Sequence, residues 1–99
     1  MGYEYKIVAK LTENQIAEIK NLLISNIMFD KKYEFDSKMF WDFRHSENRG
    51  KMPNISVVFE NDGIYICQYG SSYLWTYLDK LKDYILNEKI EIKIIDYQD

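Results

Sequence analysis

The stretch that decides the fold is NISVVFENDGIYICQY, residues 54–69. Two runs in which apolar and polar side chains largely alternate flank a central Asn-Asp-Gly, and such alternation is typical of β-strands. Asp-Gly favours a two-residue turn in which both residues have positive φ, so we predict a hairpin with Asp62 and Gly63 as its turn. The expected register pairs Glu60 with Tyr65.

The residues before this hairpin predict a strand followed by a helix. Residues 3–10 alternate with a period of two, which indicates a strand. Thr12 can cap a helix of about 13–28, with Gln15 as the partner in a capping box. The apolar face of this predicted helix consists of Ile16, Ile19, Leu23 and Ile27.

The residues after the hairpin predict a second helix and a closing strand. Ser71 or Ser72 is expected to cap the helix, which should end near 87–89. Its apolar stripe consists of Leu74, Leu78, Leu81 and Ile85. Alternation over 90–95 predicts the final strand.

The resulting order, β-α-β-β-α-β, predicts a split βαβ or ferredoxin-like arrangement. The remaining segment, 29–53, is too long for a structureless loop in a compact domain. Within it, residues 39–44 have the pattern of an extra strand, in which Trp41 and Asp42 point to opposite faces. We therefore expect a single α+β domain over 1–99, with an antiparallel sheet of four to five strands and both helices on one face.

The composition limits the classes of function. Thirteen basic residues against sixteen acidic ones give a formal net charge of -3, which disfavours a nucleic-acid binder because phosphate neutralisation requires excess Lys and Arg. Cys67 is the single cysteine, so no internal disulfide is possible. The first residues show no basic and apolar signal regions, and no apolar run reaches the ~18 residues of a membrane span, so we expect a cytoplasmic protein.

Few residues favour catalysis or metal binding. His45 is the only histidine, and it lies between Arg44 and Ser46 in a segment that resembles a turn. Cys67 lies within a predicted strand without an evident base beside it. One histidine and one cysteine do not supply the three or four ligands of a zinc site. We therefore expect no catalytic residues, no metal and no cofactor.

The aromatic content favours binding instead. Nine tyrosines and two tryptophans are many for 99 residues, and aromatic side chains often anchor protein interfaces. The predicted partner-binding residues are Trp41, Asp42, Tyr65, Tyr69, Trp75 and Tyr97, with Glu4, Glu60 and Glu91 supplying negative charge. Alternating aromatics also stack bases in RNA-recognition modules. The acidic side chains expected beside them would repel phosphate, so we predict a protein partner and no nucleic acid.

The chain resembles the immunity proteins of bacterial polymorphic toxin systems. The resemblance is carried by residues 43–54, by the run 63–67 and by Tyr73-Leu74-Trp75, in a small acidic domain rich in Ile, Lys, Asn and Tyr. It implies a protein that covers the active or substrate-binding surface of a cognate toxin, which a basic nuclease domain would fit. The alternative is a homodimeric small-ligand-binding or regulatory domain that uses the sheet face left open by the helices.

Overall fold

The computed structural model describes residues 2–69 and 73–97 and shows an α+β fold with six strands and two helices. The elements are β1 (Gly2–Val8), α1 (Glu13–Ser25), β2 (Phe29–Phe35), β3 (Lys38–Phe43), β4 (Ile55–Glu60), β5 (Gly63–Tyr69), α2 (Asp79–Asn87) and β6 (Lys93–Asp96). Within the described residues, neither helix is both long enough and apolar enough to cross a membrane.

The strands form one open antiparallel sheet in the order β2-β3-β4-β5-β1-β6. Strands β2 to β5 are a meander, and β1 lies between β5 and β6. The antiparallel sheet predicted from the sequence is confirmed, although it has more strands than expected. The ferredoxin-like arrangement is not confirmed, because β2 and β3 follow α1 and extend the sheet beyond the central hairpin.

Both helices pack on the same face of the sheet. Alternate side chains of the inner strands, such as Tyr5 and Ile66, point into one core, which also contains Ile19 of α1 and Leu81 of α2. The buried core residues are Tyr5, Ile7, Ile19, Leu23, Trp41, Phe43, Ile55, Val57, Ile64, Ile66, Leu78, Leu81 and Ile85. The other face of the sheet carries neither helix.

Helix α1 begins as predicted and ends earlier. The Thr12 side chain accepts a hydrogen bond from the Gln15 backbone N–H, and the Gln15 side chain accepts one from the Thr12 N–H, which completes the capping box. The helix ends at Ser25, because Asn26 adopts an extended backbone and its side chain accepts a hydrogen bond from the Met28 N–H. Ile27 is consequently 99% exposed, and its predicted place on the buried stripe is wrong.

The segment 29–53 contains one strand more than predicted. Strand β3 confirms the extra strand, with Trp41 and Asp42 on opposite faces, but its hairpin partner β2 was not predicted. Asp36 and Ser37 join the two strands with positive φ at both positions, as a tight hairpin turn requires. Strand β2 lies at the sheet edge and is mostly exposed and charged, so it lacks the apolar alternation that identifies a half-buried strand.

The β4–β5 hairpin forms with a register two residues from the predicted one. Glu60 lies opposite Gly63, so Asn61 and Asp62 are the turn residues, and Gly63 is the first residue of β5. The shift by two leaves every side chain on its predicted face, because the side chains of a strand alternate with a period of two. Gly63 is required where the backbone of β1 approaches: a Cβ there would lie 2.0 Å from the Ile7 carbonyl oxygen.

The second helix begins later than predicted. Ser71 and Ser72 lie outside the described residues, and α2 starts at Asp79 without a side-chain cap. Trp75 and Tyr77 have φ values of 65° and 62°, which a right-handed helix does not allow, so the predicted helical position of Trp75 is wrong. Leu78, Leu81 and Ile85 are buried as expected, whereas Leu74 is 39% exposed. Strand β6 begins at Lys93 rather than at 90.

We expect Gly63→Ala to lower the free energy of unfolding by roughly 2 kcal/mol or more, because the added methyl overlaps the backbone of β1. Denaturant unfolding measures the change. Gly50→Ala is the matched control, since its nearest atom, Asn48 Oδ1, lies 3.4 Å away. Equal stability of the two variants would contradict the close approach of β1 to β5.

Candidate interaction surface on the open sheet face

The candidate site is the sheet face that carries neither helix, called here the open face. The strand registers place on it Glu4, Lys6, Val8, Lys31, Tyr33, Phe35, Lys38, Phe40, Asp42, Ser56, Val58, Glu60, Tyr65, Cys67, Tyr69, Lys93 and Ile95. These residues alternate with the core residues along each strand. Tyr97, directly after β6, joins them because its ring contacts Tyr65.

Aromatic rings form two groups on the open face. At the β2–β3 end, Tyr33 and Phe40 are stacked with ring centroids 5.3 Å apart, and Phe35 meets Phe40 edge-on at 6.1 Å. Near the opposite edge, Tyr65 and Tyr97 lie 6.1 Å apart. Phe35 is 66% exposed and Tyr97 is 50% exposed. Both groups therefore offer ring surface to a partner without any rearrangement of the core.

The centre of the open face is small, polar and buried. Asp42 is 2% exposed, and its Oδ1 accepts hydrogen bonds from Ser56 Oγ at 2.9 Å and from the Tyr33 hydroxyl at 3.4 Å. Burial raises the pKa of Asp42 above its usual value, although the hydrogen bonds from Ser56 and Tyr33 oppose the shift. Among the described residues, no basic side chain forms an ion pair with this carboxylate.

The other carboxylates of the open face have internal partners. Glu60 bridges Lys6 and Lys38 at 3.0 and 3.1 Å. Burial alone would raise the pKa of Glu60, but hydrogen bonds from the two lysines outweigh it and hold the pKa below its usual value. The Tyr65 hydroxyl donates to Glu4, and burial together with this bond raises the pKa of Tyr65. The open face carries four lysines, Lys6, Lys31, Lys38 and Lys93, against three carboxylates, so it is not an acidic patch.

The structure brings six of the nine predicted site residues to the open face: five lie on its strands, and the sixth, Tyr97, follows β6. Those five are Glu4, Asp42, Glu60, Tyr65 and Tyr69. It does not bring the two tryptophans there. Trp41 is 2% exposed on the helix side, edge-on to Phe59, and the half-buried Trp75 packs against the core. Glu91 is exposed and precedes β6. Trp41 and Trp75 are therefore dropped from the proposed interface.

The candidates for chemistry show no catalytic arrangement in the described part of the chain. His45 Nδ1 accepts a hydrogen bond from the Glu47 backbone N–H, and its ring lies beside Tyr77. Cys67 is a buried free thiol whose pKa is raised by burial. Over residues 2–69 and 73–97, no cluster of three or more His, Cys, Asp and Glu could hold a metal ion.

A second exposed apolar region escaped the sequence analysis. Ile27 lies with Tyr77 in a groove of about 350 Å³ where the chain leaves α1, and the Asn26 side chain donates to the Tyr77 carbonyl across it. Ile27 and Tyr77 are 99% and 43% exposed. In the sequence, Asn26 indicates that α1 ends before Ile27, because asparagine favours helix ends over helix interiors.

No protein-family model, curated protein or solved structure matches this chain.

We expect Asp42→Asn to stabilise the protein near neutral pH by about 1 kcal/mol, or ~4–8 °C in Tm. The pKa of Asp42 is raised in the folded state, so the penalty for the ionised form is complete above that pKa and disappears as the pH falls through it. The variant should therefore differ from the wild type at pH 7 and match it in acid, as thermal unfolding at several pH values measures.

Asp83→Asn on the exposed surface of α2 is the control and should leave Tm unchanged. Destabilisation by Asp42→Asn at pH 7 would show that the ionised carboxylate and its hydrogen bonds stabilise the fold.

Proposed function

We propose that this chain is a non-enzymatic protein-binding module that acts as an immunity protein. In this proposal its open face covers the active or substrate-binding surface of a cognate bacterial toxin. The observation that carries the proposal is the exposure of two aromatic groups, around Phe35 and Tyr97, on a sheet face that carries neither helix. Exposed rings clustered on one face favour a protein partner.

The open face has the physical properties of a binding surface. Tyrosine and phenylalanine bury a large area for the loss of only two side-chain torsions, so they contribute affinity at a small entropic cost. The strands beneath hold the rings in place: Tyr33 through its hydrogen bond to Asp42, and Tyr65 through its bond to Glu4. A partner therefore meets a pre-organised surface, which lowers the cost of association.

The charge of the chain favours a basic partner, such as a nuclease domain that must bind phosphate. The net charge is -3, and attraction between opposite net charges accelerates association. Because Glu60 is already paired with Lys6 and Lys38, removal of this one carboxylate should change binding little. Added salt should slow association more than any single substitution of Glu4, Glu60 or Glu91.

The test is neutralisation of, and binding to, a toxin domain encoded beside the gene for this chain. We expect Tyr65→Ala, Tyr97→Ala and Phe35→Ala each to weaken binding by about 30-fold, which corresponds to ~2 kcal/mol for a central aromatic residue. Isothermal titration calorimetry measures the affinity, and survival of cells that co-express the toxin measures neutralisation. Thermal unfolding of each variant separates lost binding from lost folding.

Ile27→Ser is the matched control, because it removes a fully exposed apolar side chain outside the open face. It should bind and neutralise normally. Normal neutralisation by all three folded aromatic variants would exclude the open face, and loss through Ile27→Ser alone would move the interface to the end of α1. Absence of any neighbouring toxin gene would count against the immunity role itself.

A homodimeric small-ligand-binding or regulatory domain is the alternative function. It is favoured by the same open face, since an exposed antiparallel face can pack against a second copy. A dimer formed by pairing of two β2 edges is less favoured, because this strand is charged. Its charged residues are Asp30, Lys31, Lys32 and Glu34. Sedimentation equilibrium distinguishes the two: a dimer that Tyr97→Ala dissociates supports the alternative, and a stable monomer supports the immunity role.

A further inference from the structure

A groove of about 490 Å³ lies at one end of the sheet, between the β2–β3 and β4–β5 turns. Ser37 and Lys38 line one side, Asn61 and Asp62 line the other, and Lys20 of α1 closes the helix side. Hairpin turns held by a rigid sheet are common positions for ligand-binding residues. The groove adjoins the Phe35 end of the open face, because Lys38, which lines it, lies opposite Phe35.

The groove contains a cation that has no acidic partner. Three lysines line it; Lys6 is paired with Glu60 and Asp62, and Lys38 is paired with Glu60. Lys20 forms no ion pair within residues 2–69 and 73–97. Its Nζ lies over the rings of Trp41 and Phe59, 5.6 Å from each centroid. A cation–π contact leaves the N–H donors of this ammonium available to an anion.

A buried donor without an acceptor lies in the same place. Trp41 lines the groove, and its Nε1 is the one buried side-chain N or O atom in the described residues that lacks a hydrogen-bond partner. Buried N–H groups normally have an acceptor, and leaving one unpaired costs ~1–3 kcal/mol. An unpaired indole donor beside an unpaired ammonium indicates that an acceptor with negative charge belongs in the groove.

We propose that this groove binds a carboxylate, whose two oxygens accept hydrogen bonds from the Lys20 ammonium and from Trp41 Nε1. The lining carries three lysines, Glu60 and Asp62, so its formal excess is a single positive charge, which matches a carboxylate better than a doubly charged phosphate. The rings of Trp41 and Phe59 provide an apolar wall for the rest of the ligand. Nε1 is covered in the free protein, so binding requires the side chains around it to shift.

The indole N–H resonance of Trp41 reports directly on this site in a ¹⁵N NMR titration. Trp75→Phe removes the only other indole signal and assigns it. With sodium benzoate as the probe, and ionic strength held constant with sodium chloride, the Trp41 resonance should shift downfield and saturate. Lys20→Gln should weaken the apparent affinity about tenfold, the scale of a lost charged hydrogen bond. Lys82→Gln, the same change on α2, should leave the affinity unchanged.

A shift no larger than that caused by sodium chloride alone would overturn the proposal. So would equal affinities of the Lys20→Gln and Lys82→Gln variants, both verified as folded by their amide spectra. Saturation by inorganic phosphate but not by benzoate would refute the choice of a carboxylate. The experiment uses the isolated chain without a toxin and substitutes a lysine of α1, so its failure leaves the proposed function of the open face untouched.

Discussion

The pairing of β1 with β5 is the constraint on which the rest of the structure depends. The strands pair from Gly2 opposite Tyr69 to Val8 opposite Gly63, and β1 alone joins the β2–β5 meander to β6. The two strands are distant in sequence, so burial of Tyr5 and similar residues must offset the entropy of closing that loop. Gly63 makes the approach possible because it presents no Cβ to the backbone of β1.

A buried hydrogen-bond network links the paired strands β1 and β5 to the loop that precedes α2. Gln68 is fully buried, and a buried amide requires partners: its Oε1 accepts from the Tyr5 hydroxyl at 2.8 Å, and its Nε2 donates to the Tyr73 carbonyl at 2.7 Å. The Trp75 N–H donates to the Tyr5 hydroxyl at 3.2 Å. Burial raises the pKa of Tyr5 to about 12, so this hydroxyl remains protonated and can donate. These hydrogen bonds hold residues 73–75 against the sheet and satisfy the buried amide and hydroxyl groups. As a result α2 starts only after this segment.

The two faces of the sheet are packed differently. On the helix side, large side chains such as Ile66 and Trp41 interlock with α1 and α2. On the open face, Ser56 and Cys67 are small and are buried although no helix covers them. This arrangement buries the Asp42 carboxylate, which accepts hydrogen bonds from Ser56 and Tyr33. It forms no ion pair within the described residues, although the charge of Lys31 opposes the rise of its pKa. The rings around Phe35 and Tyr97 remain partly exposed, and they are the surface assigned to a partner.

The sequence by itself determined the features that depend on local periodicity and capping. These are the α+β class, the start of α1 at its capping box, the opposite faces of Trp41 and Asp42, and the open-face positions of Tyr65 and Tyr69. Only the tertiary structure decided the features that depend on distant contacts. The edge strand β2 was missed because it lacks the alternation of a half-buried strand. The β4–β5 register follows the approach of β1 to Gly63. Trp75 is excluded from α2 because its backbone N–H bonds to Tyr5. The side on which Trp41 lies was likewise set by helix packing. Both faces of β3 carry an aromatic ring, Phe40 on one and Trp41 on the other, so the alternation of β3 does not indicate which face the helices cover.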